Sequence, residues 1–148
     1  MEEKIVYLNA IYQNACTAMQ SIEDIVTKTK DEALIKELCN EESEYAQISK
    51  ECEKYAKRHK ICDIKENNWF EKAKLWTSIN MSTIFDKSTR KIAELMLLGT
   101  FMGIITCMKD KSDHKNVSDE LDKIVEKLYE LERKNIDKLL PFLTINEK

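Results

Sequence analysis

The chain has 148 residues, with two glycines, one proline, 34 % charged side chains and 43 % hydrophobic ones. That is one domain of ordinary size, able to bury a core without staples, too apolar to be disordered and too poor in turn formers for many short strands. The formal net charge is −3, with Lys and Glu interleaved and no basic stripe, which disfavours nucleic acid and anionic membrane as partners.

The opening "MEEKIVYLNA" is charged and then amphipathic, without the uniform apolar stretch of a secretory signal. The first predicted helix runs from about Glu2 to Lys28. Its apolar positions Ile5, Leu8, Tyr12, Ala15, Met19, Ile22 and Val26 alternate steps of three and four, the seam of a bundle helix, and Ile11, Ala18 and Ile25 widen it on one flank. Asp31 can cap the second helix, which runs to about His59 with a seam at Leu34, Leu38, Glu41, Tyr45, Ile48, Cys52 and Tyr55. The short connection makes the two helices antiparallel neighbours.

"KICDIKEN" breaks the pattern, and Asn67 or Asn68 can cap a third helix carrying Trp69, Phe70, Ala73, Trp76, Ile79 and Ile84. "DKST" at residues 86–89 offers caps for a fourth, from about Ser88 to Lys109. This helix is the most apolar, with fourteen uncharged residues from Leu95 to Met108. A membrane span needs about 20, so the expectation is a helix buried on most sides, using Ile92, Leu95, Met96, Leu98, Phe101, Met102, Ile105 and Met108. Gly99 and Gly103 share one face and predict close approach of another helix backbone, since an interior Gly otherwise costs about 1 kcal/mol relative to Ala. After a polar loop at 110–116, a fifth helix spans about Val117 to Leu140, with a seam at Leu121, Val125, Leu128, Glu132, Asn135, Leu139 and Phe142, and Pro141 ends or kinks it.

Two helical hairpins joined by a connection long enough to travel the bundle predict an all-α domain over residues 1–148: a four-helix bundle with an additional crossover helix. A five-helix bundle is the alternative. In this arrangement the chain resembles the ferritin-like superfamily. "WTSINMSTIFDKSTRKIAELMLLGTFMGII" and "ERKNIDKLLPFL" also look like a group of small ferritin-like helical proteins. The superfamily's di-metal pattern asks for one Glu from each of two helices and Glu-x-x-His from each of two others. Here the second helix offers Glu41 and Glu44, the fifth Glu132 and Asn135, and the fourth Glu94. The first has only Asn9 and Gln13 near its middle, and both histidines, His59 and His114, fall outside the pattern. Bridging carboxylates without the imidazoles that complete each coordination shell predict no di-iron or di-manganese site and no cofactor. They predict instead either half-exposed flanks or a polar layer across the core built from Glu41, Glu44, Glu94, Glu132, Asn135 and Gln13.

Five scattered cysteines, odd in number and without a C-x-x-C pair, indicate free thiols in a reducing cytoplasm. Cys62 lies near a predicted loop beside His59. No phosphate-cradling glycine loop and no G-x-S-x-G is present. The expected function is therefore non-enzymatic protein–protein contact, as a homodimer or with another protein, supported by surplus apolar surface at Trp69, Phe70 and Trp76. The alternatives are a bundle that binds a small apolar ligand along Met96, Met102 and Met108 near Phe101, and a di-metal carboxylate protein.

Overall fold

The computed structural model describes residues 2–62, 64 and 86–147. Among them lie four long helices and no strand: α1 (Glu2–Val26), α2 (Glu32–Arg58), α3 (Thr89–Asp113) and α4 (Asp119–Leu139), followed by a 3₁₀ turn at Leu140–Thr144. The predicted third helix, with Trp69, Phe70 and Trp76, lies outside the described residues.

Capping side chains fix three of the four helix starts. Asp31 accepts from the Leu34 N–H at 2.9 Å, and Ser88 and Ser118 accept from Lys91 and Leu121, each at 3.2 Å. Each cap is worth about 1 kcal/mol because it satisfies an orphan N–H of the first turn. The polar stretch at 110–116 is not all loop. Nothing before Asn116 disfavours the helical conformation, so α3 continues to Asp113, His114 closes it onto the Asp110 carbonyl, and the chain reverses at Asn116, where φ is 63°. At the other end Pro141, lacking an N–H, converts the tail of α4 into the 3₁₀ turn.

The contacts fix the helix directions. Tyr7 near the start of α1 stacks on His114 at the end of α3 and bonds Asp122 at the start of α4. Tyr55 near the end of α2 reaches Ser118. Thus α2 ends, and α3 also ends, beside the start of α1. With each helix about 35 Å long, α2 finishes at one end of the bundle and α3 begins at the other. The neighbours α1/α2, α2/α4, α4/α3 and α3/α1 are all antiparallel.

The seams of α2 and α4 bury the residues expected of them, from Leu34 to Tyr55 and from Leu121 to Leu139. Helix α1 buries Tyr7, Leu8, Ile11, Tyr12, Asn14, Ala15, Ile22 and Ile25, a face turned toward the Ile11–Ile25 flank. Helix α3 buries Ile92 and Leu95 as expected and departs from expectation beyond them. Leu98, Phe101, Met102, Ile105 and Met108 are 43–54 % exposed, while Ala93, Thr100 and Cys107 are buried. The helix carries two seams with three-four steps. The inward one, Ala93, Met96, Thr100, Gly103 and Cys107, is made of mostly small residues. The outward one, Leu98, Phe101, Ile105 and Met108, holds the bulk. The large residues Ile92, Leu95 and Leu97 early in α3 are buried, while the later ones, Leu98, Phe101, Met102, Ile105 and Met108, face outward.

Candidate functional site

One chain of hydrogen bonds passes through all four helices at mid-bundle. Asn14 on α1 donates its amide to the Gly103 carbonyl at 3.2 Å and to the Cys107 sulfur at 3.4 Å, both on α3. Cys107 donates to Glu132 Oε1 on α4 at 3.4 Å, and Tyr45 on α2 donates to Glu132 Oε2 at 3.3 Å. All four side chains are nearly or fully buried. Their spacing explains the arrangement. Glu132 replaces an apolar residue in the α4 seam, and Tyr45 does the same on α2, so each must face the interior.

Burial pushes the Glu132 carboxyl up to about 8, because desolvation disfavours its charged form, and the bonds from Cys107 and Tyr45 pull it only part of the way back. The Tyr45 hydroxyl is raised by burial and by the charge of Glu132. Burial likewise raises the Cys107 thiol, with Glu132 adding to the effect.

Gly103 has no side chain because the Glu132 carboxyl occupies that place: a Cβ on Gly103 would overlap Glu132 Oε2. The close approach expected at this glycine is thus made by a carboxyl group, not by a helix backbone. Gly99, one turn earlier, lines an open groove between α1 and α3. The groove has a volume of about 300 Å³, with Ala18, Leu95, Met96 and Met102 on its walls and Asn14, Gly103 and Glu132 at one end. Phe101 and Met108, expected beside these methionines, point outward instead.

Glu41 and Asn135 complete the interior layer. Both are fully buried, and among the described residues neither the Glu41 oxygens nor the Asn135 amide atoms make a hydrogen bond of good geometry, though Glu37 lies beside Glu41 and Tyr45 beside Asn135. Burial first, and then the adjacent Glu37 carboxyl, raise the pKa of Glu41. Glu37 itself faces Lys138 at 3.9 Å.

The other predicted members do not join. Glu44 lies on the flank of α2 and pairs with Lys134 at 2.9 Å, and Glu94 is exposed and pairs with Lys91 at 2.9 Å. Each is one position off its seam, where water and a lysine solvate the charge at less cost than the interior. Gln13 is half-buried.

The histidines belong to the bundle end. His114 stacks on Tyr7 with ring centroids 4.6 Å apart, and His59 stacks on Tyr55 at 4.1 Å and faces Glu120 at 3.5 Å. Among the described residues no three His, Cys, Asp or Glu side chains gather as metal ligands. Glu132 is committed to Cys107 and Tyr45, and the imidazoles are far from Glu41 along the helices, so these side chains do not fit a carboxylate-bridged metal pair.

Sequence reasoning offers Tyr45 among the possible partners of a buried Glu132, and the structure makes that bond; it overlooks Asn14 and Cys107 as a bridge. Asn14 carried a readable signal. It lies three residues after Ile11 and four before Ala18, on the flank that turned out to be the buried face of α1.

Comparisons with family models, curated proteins and solved structures return no match for this chain.

Proposed function

We propose that this chain is a non-enzymatic helical bundle that acts by contact, pairing with a second copy of itself through the outward face of α3. The observation that carries the reading is the outward seam Leu98, Phe101, Ile105 and Met108, half-exposed and spaced three, four and three residues apart. Alternating steps of three and four residues are what one helix offers another in coiled-coil packing. Scattered apolar residues on a surface need no explanation, but a contiguous stripe with helix-pairing period does.

The helix directions support a ferritin-like arrangement, since α2 finishes at one end of the bundle and α3 begins at the other. The substitutions in its metal pattern favour a structural polar layer over oxidation chemistry. No disulfide joins Cys16, Cys39, Cys52, Cys62 or Cys107, which supports a reducing compartment such as the cytoplasm.

A second reading has its own observation. Helix α3 is long and apolar enough to cross a membrane, with a mean hydropathy of 1.6 over its best window, of which 39 % is buried inside the protein. Its inner seam argues for a helix that stays in the bundle, since withdrawing it would strip Glu132 of the Cys107 bond and Asn14 of both its acceptors.

Analytical ultracentrifugation tests the pairing. The expected result is a dimer that Phe101→Glu with Ile105→Glu converts to a monomer of unchanged helicity. A wild-type protein that stays monomeric at all concentrations, or that sediments with lipid vesicles through α3, overturns it.

A further inference from the structure

We propose that the groove between α1 and α3 is a binding site for a linear alkyl amine, with its ammonium group at Glu132 and its chain along Met96 and Leu95. This site is independent of the outward seam and of the pairing proposed above.

The groove has the size and character of a small-molecule site: about 300 Å³, mostly apolar walls and a few polar groups gathered at one end. Its polarity runs in one direction. Helices α1 and α3 are antiparallel, so Asn14 lies opposite Gly103 and Cys107, while Ala18 and Ser21 lie toward Gly99 and Met96. The polar end is therefore at Gly103, and the apolar walls extend from it for about 12 Å toward Leu95, at 1.5 Å per residue along α3. The absent side chain at Gly103 is what lets the buried carboxyl of Glu132 reach this end.

The hydrogen-bond inventory selects the head group. Thr100 donates its hydroxyl to the Met96 carbonyl at 2.7 Å, Thr106 to Met102 at 2.9 Å and Ser21 to Thr17 at 2.9 Å. Tyr45 spends its hydrogen on Glu132, and Asn14 spends its amide on Gly103 and Cys107. What these groups still offer is oxygen lone pairs. No lysine, arginine or histidine is among the described lining residues. A carboxylate or phosphate head would meet mostly acceptors, with the single proton of the Glu132 carboxyl and no cation to oppose its charge. An ammonium brings three donors and the positive charge that Glu132 lacks. Burial holds the proton on Glu132 in the free protein, so a cation arriving beside it is the partner that favours the ionised form.

The test uses the full chain and three probes of equal chain length, decylamine, decanol and decanoate, below their micelle concentrations, titrated calorimetrically at neutral pH. Decylamine should bind with one-to-one stoichiometry, and decanoate should bind at least about ten-fold more weakly, the order expected for losing a charge-assisted hydrogen bond. Glu132→Gln keeps the carboxyl's shape and should weaken decylamine about ten-fold while leaving decanol within about two-fold. Gly99→Leu should fill the groove and abolish binding of both. If that variant fails to fold, the Glu132→Gln comparison alone decides. Equal affinity for amine and carboxylate, an amine affinity indifferent to Glu132→Gln, or no binding of decylamine would each overturn the proposal.

Discussion

The α2/α4 side of the bundle and the α1/α3 side solve the same packing problem in opposite ways. Between α2 and α4 the seams alternate large apolar residues, from Leu38 and Ile48 to Leu128 and Leu139, and lysines of α4 reach carboxylates of α2 along the rim, as in Lys134–Glu44 and Lys127–Glu51. Between α1 and α3 small and polar residues such as Asn14, Ala18, Gly99, Thr100 and Gly103 leave a groove beside the large buried residues. Hydrophobicity alone does not locate the buried side of a helix with apolar residues on two faces: α3 buries Ile92, Leu95 and Leu97 and leaves Leu98, Phe101 and Ile105 about half exposed.

The sharpest way to break this contrast is truncation on each side. Leu128 is fully buried on α4, and Leu128→Ala should cost about 2–5 kcal/mol, from lost transfer energy plus the cavity left behind. Leu98→Ala, at an outward position of α3 that is 54 % exposed, should cost well under about 1 kcal/mol in the monomer. Urea melts of the two variants measure the gap. Equal losses would mean that the outward seam is core after all.

Next in size is the charge stored at Glu132. Its folded pKa of about 8 stands above the ordinary value of 4.5, so the native state holds its proton more tightly than the unfolded chain does. The stability this confers is fully present below about pH 4.5 and is lost as pH rises through 8. Glu132→Gln removes the ionisation and keeps the shape. It should stabilise the protein by about 2–4 kcal/mol near pH 8, with the gain shrinking toward zero at pH 5. Melts at the two pH values check this, and a pH-independent difference would place the carboxyl in contact with water.

The smallest effect sharpens the description of the α3 inward face. Gly103→Ala gains helix propensity but drives a Cβ into the Glu132 carboxyl, and the variant should be destabilised by about 1–3 kcal/mol. Made in a Glu132→Ala background, the same change should become neutral or stabilising. A double-mutant cycle with no coupling would show that the two residues do not meet.

Much of this was legible in the sequence, and the reasons for the rest are physical. The three-four spacing of α2 and α4 located their buried faces and placed Glu41, Glu132 and Asn135 within them. Asp31 and Ser88 were readable as caps because a short polar side chain before a periodic run has few other roles. Helix α3 was not readable in the same way, since it carries two seams and apolar volume favours the one that faces outward. The path of hydrogen bonds was out of reach for a different reason. Which of Glu41 and Glu132 finds donors depends on the rotation of four helices about their axes. Among the described residues Glu132 has two donors and Glu41 has none.

The placement of the cysteines makes the molecule its own clock for opening. Cys39 and Cys62 stand at the surface, while Cys52 and Cys107 are sealed in the core with thiols that burial makes reluctant to ionise. Only a thiolate reacts with an alkylating reagent, so the inner pair is silent until the helices around it part. Cys107 is bonded to a residue from α1 and to one from α4, so its exposure requires both contacts to break together. Pulse alkylation read by mass spectrometry would record two surface sites at once and then, at a rate set by the free energy of separating α3 from its neighbours, the site at the centre of the relay.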